Sequence, residues 1–242
     1  MERRLEHLPA AVVRERMAAG ARNAILPVGA LEAHGVIGVG ADTLIPVRLA
    51  EAIAGRLEAL VAPAIPYGVV KTLEGHPGTV GVGSRSFRRF AGDVLESLAR
   101  GGFRKILVLN GHGGQIEELK DAAYQTFHRT GAKVAAIHWW LEAREITERH
   151  FGQAGAHAGI DETAMMLAIA PHAVRADLYA AGAAFLHRPS FFAYPFPADL
   201  VTYRPGDERL DFDSKRAEEY CQLVTEHIAG LAVEIFRRWD AI

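Results

Sequence analysis

Short apolar runs recur along the chain and are separated by turns that contain glycine or proline. Continuous runs of this kind, rich in β-branched residues, are typical of strands that are buried on both faces of a sheet. We therefore predict strands at residues 23–29, 61–65, 105–109 and 133–137. The run at 105–109, Lys-Ile-Leu-Val-Leu, is the clearest, because glycines lie on both sides of it.

Amphipathic stretches with the 3.6-residue period of a helix lie between and after these runs. They predict helices at residues 44–60, 87–99, 116–127 and 165–169, and from 214 towards the end of the chain. The predicted apolar faces are Ile116, Leu119, Ala123, Tyr124 and Phe127 in the third helix, and Tyr220, Val224, Ile228, Leu231 and Ile235 in the last. This alternation indicates an α/β fold, with a mostly parallel sheet flanked by helices on both faces.

The chain has 242 residues and contains no Ser/Gly linker, internal repeat or low-complexity tract. This length suits one large α/β domain, so we predict a single domain over residues 1–242. The least regular part is the proline-containing segment 185–213. We expect that segment to be a long surface loop or a subunit contact.

Composition favours a folded protein and argues against several classes of partner. Half of the residues are hydrophobic and 23% are charged, which supports a sizeable buried core. The formal net charge of −2 gives no electrostatic reason to expect nucleic acid or an anionic membrane. No apolar run approaches the length of a membrane span, and the charged N-terminus lacks a secretory apolar region, so we expect a cytoplasmic protein.

The balance of cysteine and histidine restricts the kind of metal site that the chain can build. Cys221 is the single cysteine, whereas there are 11 histidines. One cysteine allows neither an intrachain disulfide nor a thiolate-rich metal site. Any metal would therefore be held by imidazole and carboxylate groups.

Residues that can bind metals follow the predicted strands or precede a helix. They are Glu32, His34 and Asp42 after the first strand, His112 in the turn after the 105–109 strand, and His157 and Glu162 before the helix at 165–169. Ligands of open α/β sheets bind beyond the carboxyl ends of the strands. Three acids and three imidazoles on one side of the sheet are therefore the arrangement that a divalent-metal site needs.

The residue types also suit hydrolytic chemistry. Glu32 and His34 point to the same side of an extended segment, because alternate side chains do so. Imidazole and carboxylate together bind Zn²⁺, Mn²⁺ or Fe²⁺. Two such ions about 3.5–4 Å apart can share a hydroxide and polarise a carbonyl group.

Each of these residues also has a structural interpretation. Asp42, before Thr43, could be a helix N-cap. Glu162 could serve only to favour a helix N-terminus through the dipole. The glycines at 111–114 could cradle a phosphate, although they lack the spacing of the nucleotide-binding motifs.

Trp139 and Trp140 come directly after the strand at 133–137. A tryptophan there could form a flat apolar wall for a small cyclic amide. Adjacent tryptophans at a strand end are also common in cores and oligomer contacts, so both interpretations stay open at this point.

Four motifs together resemble the creatininase (creatinine amidohydrolase) family. They are the segment Leu26-Pro-Val-Gly-Ala-Leu-Glu-Ala-His-Gly35, then Asp42, then Asn110-Gly-His-Gly-Gly114, and then His157-Ala-Gly-Ile-Asp-Glu-Thr163. The motifs occur in the order of the family and span most of the chain. The combination is specific, although each motif alone is weak.

The resemblance implies an α/β sandwich with two divalent metal ions (Zn²⁺, Mn²⁺ or Fe²⁺) and a homo-oligomer, usually a hexamer. The implied metal ligands are Glu32, His34, Asp42, His112 and Glu162. Asp42 would bridge the ions, and His157, or the acid Glu162, would move a proton. The segment 74–79 resembles a Pro-Gly-Thr loop beside the site, which makes His76 a candidate substrate contact together with Trp139 and Trp140.

Departures from the family pattern concern the substrate rather than the metal ligands. Val36–Gly40 replaces the usual continuation of the first motif, and Gln115 stands where an asparagine is usual. In creatininases proper an acid lies two residues after the turn histidine, and here Gly114 occupies that place. Glu162 is therefore the preferred fifth ligand.

The resemblance predicts a metal-dependent amidohydrolase that cleaves a non-peptide C–N bond of a small cyclic amide such as creatinine, through a metal-bridging hydroxide. Alternatives within the family are a formamide deformylase, a peptidase that trims a modified peptide, and a hydrolase of a cyclic ketone or lactone. An alternative from another class is a small-molecule-binding α/β module without catalysis. In each case we expect a small-molecule ligand and no nucleic-acid or membrane partner.

Overall fold

The computed structural model describes residues 1–180 and 182–242. Its central sheet has four parallel strands in the order β2-β1-β3-β4. These strands are β1 (Asn23–Val28), β2 (Ala59–Val61), β3 (Lys105–Asn110) and β4 (Lys133–His138). Val28 lies opposite Asn110, and Asn110 lies opposite His138. The carboxyl ends of β1, β3 and β4 therefore lie side by side at the same end of the sheet.

Helices connect the strands and cover the sheet. They are α1 (Ala10–Ala18), α2 (Ala41–Ile53), α3 (Ser84–Arg100), α4 (Ile116–Thr130), α5 (Trp139–Glu142), α6 (Arg144–Phe151), α7 (Ile160–Ile169) and α8 (Ser214–Asp240). Within the described ranges, no helix is both long enough and apolar enough to cross a membrane.

Two hydrophobic cores lie on opposite faces of the sheet. Ile25 and Leu107 point into one, which contains residues of α2, α7 and α8. Leu26 and Ile106 point into the other, which contains residues of α3 and α4. Alternation of strand residues between the two faces explains why every predicted strand reads as a continuous apolar run. The predicted α/β fold class, with helices on both faces, is confirmed.

The boundaries of several predicted elements differ from the structure; helix α7, for example, begins at Ile160 and already contains Glu162, which the sequence places before the helix. The second strand spans Ala59–Val61 instead of 61–65. Beyond Val61 the pairing with β1 is irregular, because Pro27 of β1 has no N–H to donate to β2. Helix α2 runs from Ala41 to Ile53 instead of 44–60. Gly55 follows its end, and Glu58 adopts a left-handed φ of 49° in the turn that leads to β2.

The buried face of α4 also differs from the prediction. Leu119, Ala122 and Thr126 are buried, whereas Tyr124 and Phe127 are about half exposed. The reason is that α4 packs extensively on α3, and that helix covers a different side of α4 from the one with the largest apolar residues. The last helix follows its predicted stripe more closely, since Tyr220, Val224 and Ile228 are fully buried.

The segment 185–213 packs partly against the sheet-edge loops. It contains a short parallel pair, β5 (Phe185–Leu186) and β6 (Val201–Thr202). Phe196 and Val201 are buried in a small third core with Leu73. Phe192 remains 82% exposed, which fits the expected surface loop or subunit contact.

Candidate metal centre

The carboxyl ends of β1 and β3 lie against the first turn of α2. Gly29 directly follows the first of these strands and Gly111 the second, and a Cβ atom at either position would clash with the main chain of Asp42. Asp42 lies in the first turn of the helix, its side chain makes no capping hydrogen bond, and Gly40 occupies the N-cap. The N-cap interpretation of Asp42 is therefore excluded, and its buried carboxylate faces the strand-end histidines instead.

Three histidines around this carboxylate are each fixed by a main-chain carbonyl group. His34 donates Nδ1–H to Glu32 O (2.8 Å), His112 donates Nε2–H to Val69 O (3.0 Å), and His157 donates Nε2–H to Ala33 O (2.8 Å). A carbonyl oxygen only accepts, so these bonds place a proton on the named nitrogen of each ring. The second nitrogen of each ring faces the acids, as in metal-binding histidines whose other N–H is held by a carbonyl.

The carboxylate of Asp42 lies between two of these rings. Its Oδ1 is 3.0 Å from His34 Nε2, and its Oδ2 is 2.9 Å from His112 Nδ1. Glu162 Oε2 lies 3.6 Å from His34 Nε2, while Glu32 Oε2 lies 3.3 Å from His112 Nδ1. The donor atoms thus form two groups of three that share Asp42.

A third group of donor atoms, without Asp42, includes His157. His157 Nδ1 is 3.8 Å from Glu32 Oε2, and the ring of His157 lies 4.2 Å from that of His34 between centroids. Glu32, His34 and His157 also have donor atoms within reach of one ion. The histidine that we predict to be a proton carrier therefore lies at the ligand cluster itself.

Two buried atoms of the cluster lack hydrogen-bond partners. His34 Nε2 and Asp42 Oδ2 are both enclosed, and their short contacts to neighbouring ligands are not aligned as hydrogen bonds. Unpaired buried polar atoms are costly. Two ligand atoms about 2.1 Å from one ion lie roughly 3.0–3.4 Å apart, close to the separations seen here. The donor set therefore fits divalent cations.

Charges within the cluster perturb one another strongly. Burial opposes protonation of His34, but the carboxylates of Asp42 and Glu162 outweigh it and raise its pKa to about 10. Burial also opposes ionisation of Asp42, yet His34 and His112 hold the pKa of that carboxyl below its usual range. Burial raises the pKa of Glu162 to about 8, with help from Asp42. Without a cation, the cluster therefore retains protons near pH 7.

A family model for creatininase, described as creatinine amidohydrolase, matches residues 6–230. The chain belongs to the creatininase family. This membership confirms the resemblance that the four sequence motifs carry.

Three curated relatives of this creatininase-family chain have different activities. Creatinine amidohydrolase of Pseudomonas putida is 30% identical over 67% of the chain and 70% of its own length. A mycofactocin precursor peptide peptidase of Mycobacterium ulcerans is 31% identical over 65% of the chain and 62% of its own length. A 3-dehydro-scyllo-inosose hydrolase of Thermotoga maritima is 26% identical over 90% of the chain and 78% of its own length. The relatives share hydrolysis and differ in substrate.

Solved creatininase structures share the fold. A creatinine amidohydrolase superposes with a TM-score of 0.83 at 23% identity, over 97% of this chain and 98% of that chain. A creatininase variant of Zn–Zn type has a TM-score of 0.79 at 24% identity, over 98% of this chain and 99% of the other. A manganese creatininase has a TM-score of 0.76 at 24% identity, over 98% of both chains.

We expect metal binding to release protons from this creatininase cluster. The pKa values of about 10 for His34 and about 8 for Glu162 mean that these two groups hold protons at pH 7, and a cation must displace them. About two protons or more should leave per chain at pH 7, and the affinity should rise with pH because fewer protons then compete. Titration calorimetry of metal-free protein with Zn²⁺, in buffers of different ionisation enthalpy, measures this release. A pH-independent affinity without proton release would contradict it.

A buried amide network holds the His112 turn. Gln115 Nε2 donates to Gly29 O (3.1 Å) and Asn110 Oδ1 (3.0 Å), and its Oε1 accepts from Val69 N (3.2 Å). Asn110 Nδ2 in turn donates to His112 O (2.7 Å). The glycines of this turn allow close packing around His112, which is a different role from a phosphate cradle. In the sequence Gln115 is visible only as a departure from the family pattern. Its structural role depends on its complete burial, which the sequence does not reveal.

A cleft of about 620 Å³ opens above the cluster, and its lining includes Glu32, Asp42, His112, His157 and Glu162. His34 lies fully buried behind the cleft floor. All five residues predicted as ligands, together with His157, are therefore brought together at one place. Their roles as ligands and proton carrier remain predictions.

The predicted substrate contacts are not all near the cleft. Trp140 lines it, whereas Trp139 is 1% exposed in the core under α8, because the two side chains leave the short helix α5 on different sides. His76 hydrogen-bonds to Phe196 O (2.7 Å) outside the cleft lining. Trp139 and His76 thus lie outside the cleft lining, and their role as substrate contacts stays a prediction. Tyr203 and Arg144, which sequence reasoning did not select, do line the cleft.

Proposed function

We propose that this chain is a metal-dependent amidohydrolase that cleaves a C–N bond of a small amide. The observation that carries the proposal is the carboxylate of Asp42, whose two oxygens face His34 and His112 at the floor of an open cleft. The zinc and manganese forms of structural neighbours support a divalent cation, and Fe²⁺ suits the same ligand types.

In this proposal Glu32, Asp42 and His112 hold one cation, and His34, Asp42 and Glu162 hold the other. Such ions, when bound, polarise a carbonyl group and make water nucleophilic near neutral pH. Glu162 is oriented for this role by the main chain of the loop before α7, since Ala158 N donates to its Oε2 (2.7 Å). Asp42 is oriented by the packing of α2 against Gly29 and Gly111.

His157 moves the proton in this scheme. Its Nε2–H is held by Ala33 O, which leaves Nδ1 free to accept. Burial, together with the neighbouring His34, lowers the pKa of His157 to about 4, so the ring is neutral at pH 7. A neutral ring takes up a proton from the attacking water, and its protonated form is acidic enough to donate that proton to the leaving nitrogen.

The preferred substrate is a small cyclic amide such as creatinine. Trp140 supplies a flat wall beside the cluster, and the first curated relative is a creatinine amidohydrolase. The peptidase relative supports peptide trimming as the second candidate, with formamide deformylation a third activity that the same cluster can perform.

A substrate screen tests the proposed function. Metal per chain is measured by mass spectrometry, and the metal-loaded protein is offered creatinine, cyclic ureides, formamides and short peptides. We expect hydrolysis of at least one amide, complete loss after chelation, and recovery with Zn²⁺, Mn²⁺ or Fe²⁺. Protein that takes up no stoichiometric metal would contradict the proposal and favour a binding module without catalysis.

A further inference from the structure

Charge is distributed unevenly between the floor and the rim of the cleft. The acids of the metal cluster lie at the floor, whereas Lys71, Arg144 and Arg204 line the outer part. These three cations come from three separate parts of the chain: the loop after β2, the start of α6, and the segment after β6. The fold therefore assembles a cationic rim that no single sequence motif contains.

The rim cations are incompletely neutralised. Arg204 Nη1 lies 2.9 Å from Glu148 Oε1, and Arg144 Nε lies 3.8 Å from the same oxygen. One carboxylate thus serves two guanidinium groups, each of which is at least half exposed. Lys71 has no ion-pair partner within 4 Å among the described residues, and it is exposed.

Asp207 is the other acid in the outer part of the cleft. Its Oδ2 is buried and has no hydrogen-bond partner, and its backbone N–H donates to Arg204 O (3.3 Å). The formal charges at the rim are three positive, from Lys71, Arg144 and Arg204, and two negative, from Glu148 and Asp207. The rim therefore has a net positive formal charge, which favours an anion.

The cleft wall also has a large apolar portion. Val69, Leu73, Val201 and Trp140 contribute to it. A ligand that reaches from the metal cluster to the rim would bury its central part against these side chains. One end of the ligand would then contact the metal cluster, which polarises a carbonyl group. The other end would contact the guanidinium groups of the rim.

We propose that the cleft selects amide substrates that carry an anionic group, a carboxylate or a phosphate, at the end remote from the scissile bond, and that Lys71, Arg144 and Arg204 bind that group. The inference rests on the proposed function, because it assigns the carbonyl end of the substrate to the metal cluster. Guanidinium groups fit carboxylate and phosphate oxygens in pairs, and such charge-assisted bonds are among the stronger polar contacts in proteins.

Binding of paired hydroxamates tests this selection without requiring turnover. The zinc-loaded protein is titrated calorimetrically with the monohydroxamates of succinic, glutaric and adipic acids and with their terminal amides, since a hydroxamate binds metal and the other end reaches outward. At the best length we expect the acid to bind about tenfold or more tightly than the amide. Added salt should reduce that preference. Phosphonate-ended analogues distinguish a phosphate from a carboxylate preference.

Substitutions at the rim are expected to change the acid-over-amide binding preference in opposite directions. Arg204→Gln should lower the acid-over-amide preference about tenfold, and Arg204→Lys should restore part of it. Glu148→Gln should increase the preference, because it frees both guanidinium groups, whereas a purely structural role for Glu148 would not improve anion binding. Arg88→Gln is the matched control, since Arg88 lies on α3 and pairs with Asp121 away from the cleft.

The outcomes separate this inference from the proposed function. Equal affinity for acid and amide overturns the inference, and so does a preference that Arg204→Gln leaves unchanged. Tighter binding of an amine-ended hydroxamate also overturns it and assigns the remote contact to Asp207. Failure to take up zinc overturns the inference and the proposed function together, whereas zinc uptake and hydrolysis without an anion preference overturn only the inference.

Discussion

Replacing Asp42 with alanine is expected to abolish both metal binding and hydrolysis. The two carboxylate oxygens of Asp42 face His34 and His112, so the change removes a donor atom from both three-residue groups at once. Loss of even an outer-shell partner commonly costs 10–100-fold in metal affinity or activity, so removal of a shared ligand should exceed about 100-fold. Mass spectrometry for metal per chain and kcat/KM on the substrate found by the screen measure the two effects.

The control for this variant is Asp121→Ala. Asp121 is partly exposed on α4 and pairs with Arg88, so its removal should cost little stability and leave metal content unchanged. Asp42→Asn serves as a second variant that keeps the shape of the side chain if the alanine protein folds poorly. A folded Asp42 variant that keeps the wild-type kcat/KM without bound metal would contradict the metal-dependent mechanism.

Gly111→Ala is expected to destabilise the fold and to impair metal loading. The added Cβ would collide with the main-chain carbonyl of Asp42 and would lie 3.0 Å from Pro46 Cδ. A backbone group cannot rotate away as a flexible side chain can, so the first turn of α2 must shift. We expect a loss of about 3 kcal/mol in the free energy of unfolding, the upper part of the overpacking range. Denaturant unfolding and metal analysis measure the two consequences.

Gly113→Ala is the matched control because it makes the same chemical change two positions later. There the nearest atom to a new Cβ is Trp140 Cζ2 at 3.7 Å, which is an ordinary contact. The control should therefore unfold at nearly the wild-type denaturant concentration. If Gly111→Ala matched it in both stability and metal content, close packing of Asp42 on the strand end would not be what positions the cluster.

Local pattern was sufficient to predict the sheet and most of the candidate cluster. A strand buried on both faces must be apolar throughout, so β1 and β3 could be located without knowledge of their partners, and β4 could be located from its short apolar run although most of its residues are only partly buried. Parallel strands place their carboxyl ends together, so Glu32, His34 and His112 could be expected to meet. The family motifs added the order in which the ligands occur along the chain.

Local pattern was less informative where a residue's surroundings come from distant parts of the chain. Tyr124 and Phe127 look like a core face in the sequence, but α3 covers another side of their helix. Trp139 and Trp140 are neighbours with the same side chain, and only their direction after β4 puts one in the core and the other in the cleft.

The sequence by itself determined the fold class, the family and the chemical types at the site, because periodicity, motif order and ligand chemistry are properties of the chain. Only the tertiary structure decided which carbonyl groups fix each histidine, that Asp42 faces two rings, and that Lys71, Arg144 and Arg204 border one cleft. Most of these arrangements join residues that are far apart in sequence, such as His112 with Val69. Their geometry depends on how helices pack on the sheet, and no local pattern records that packing.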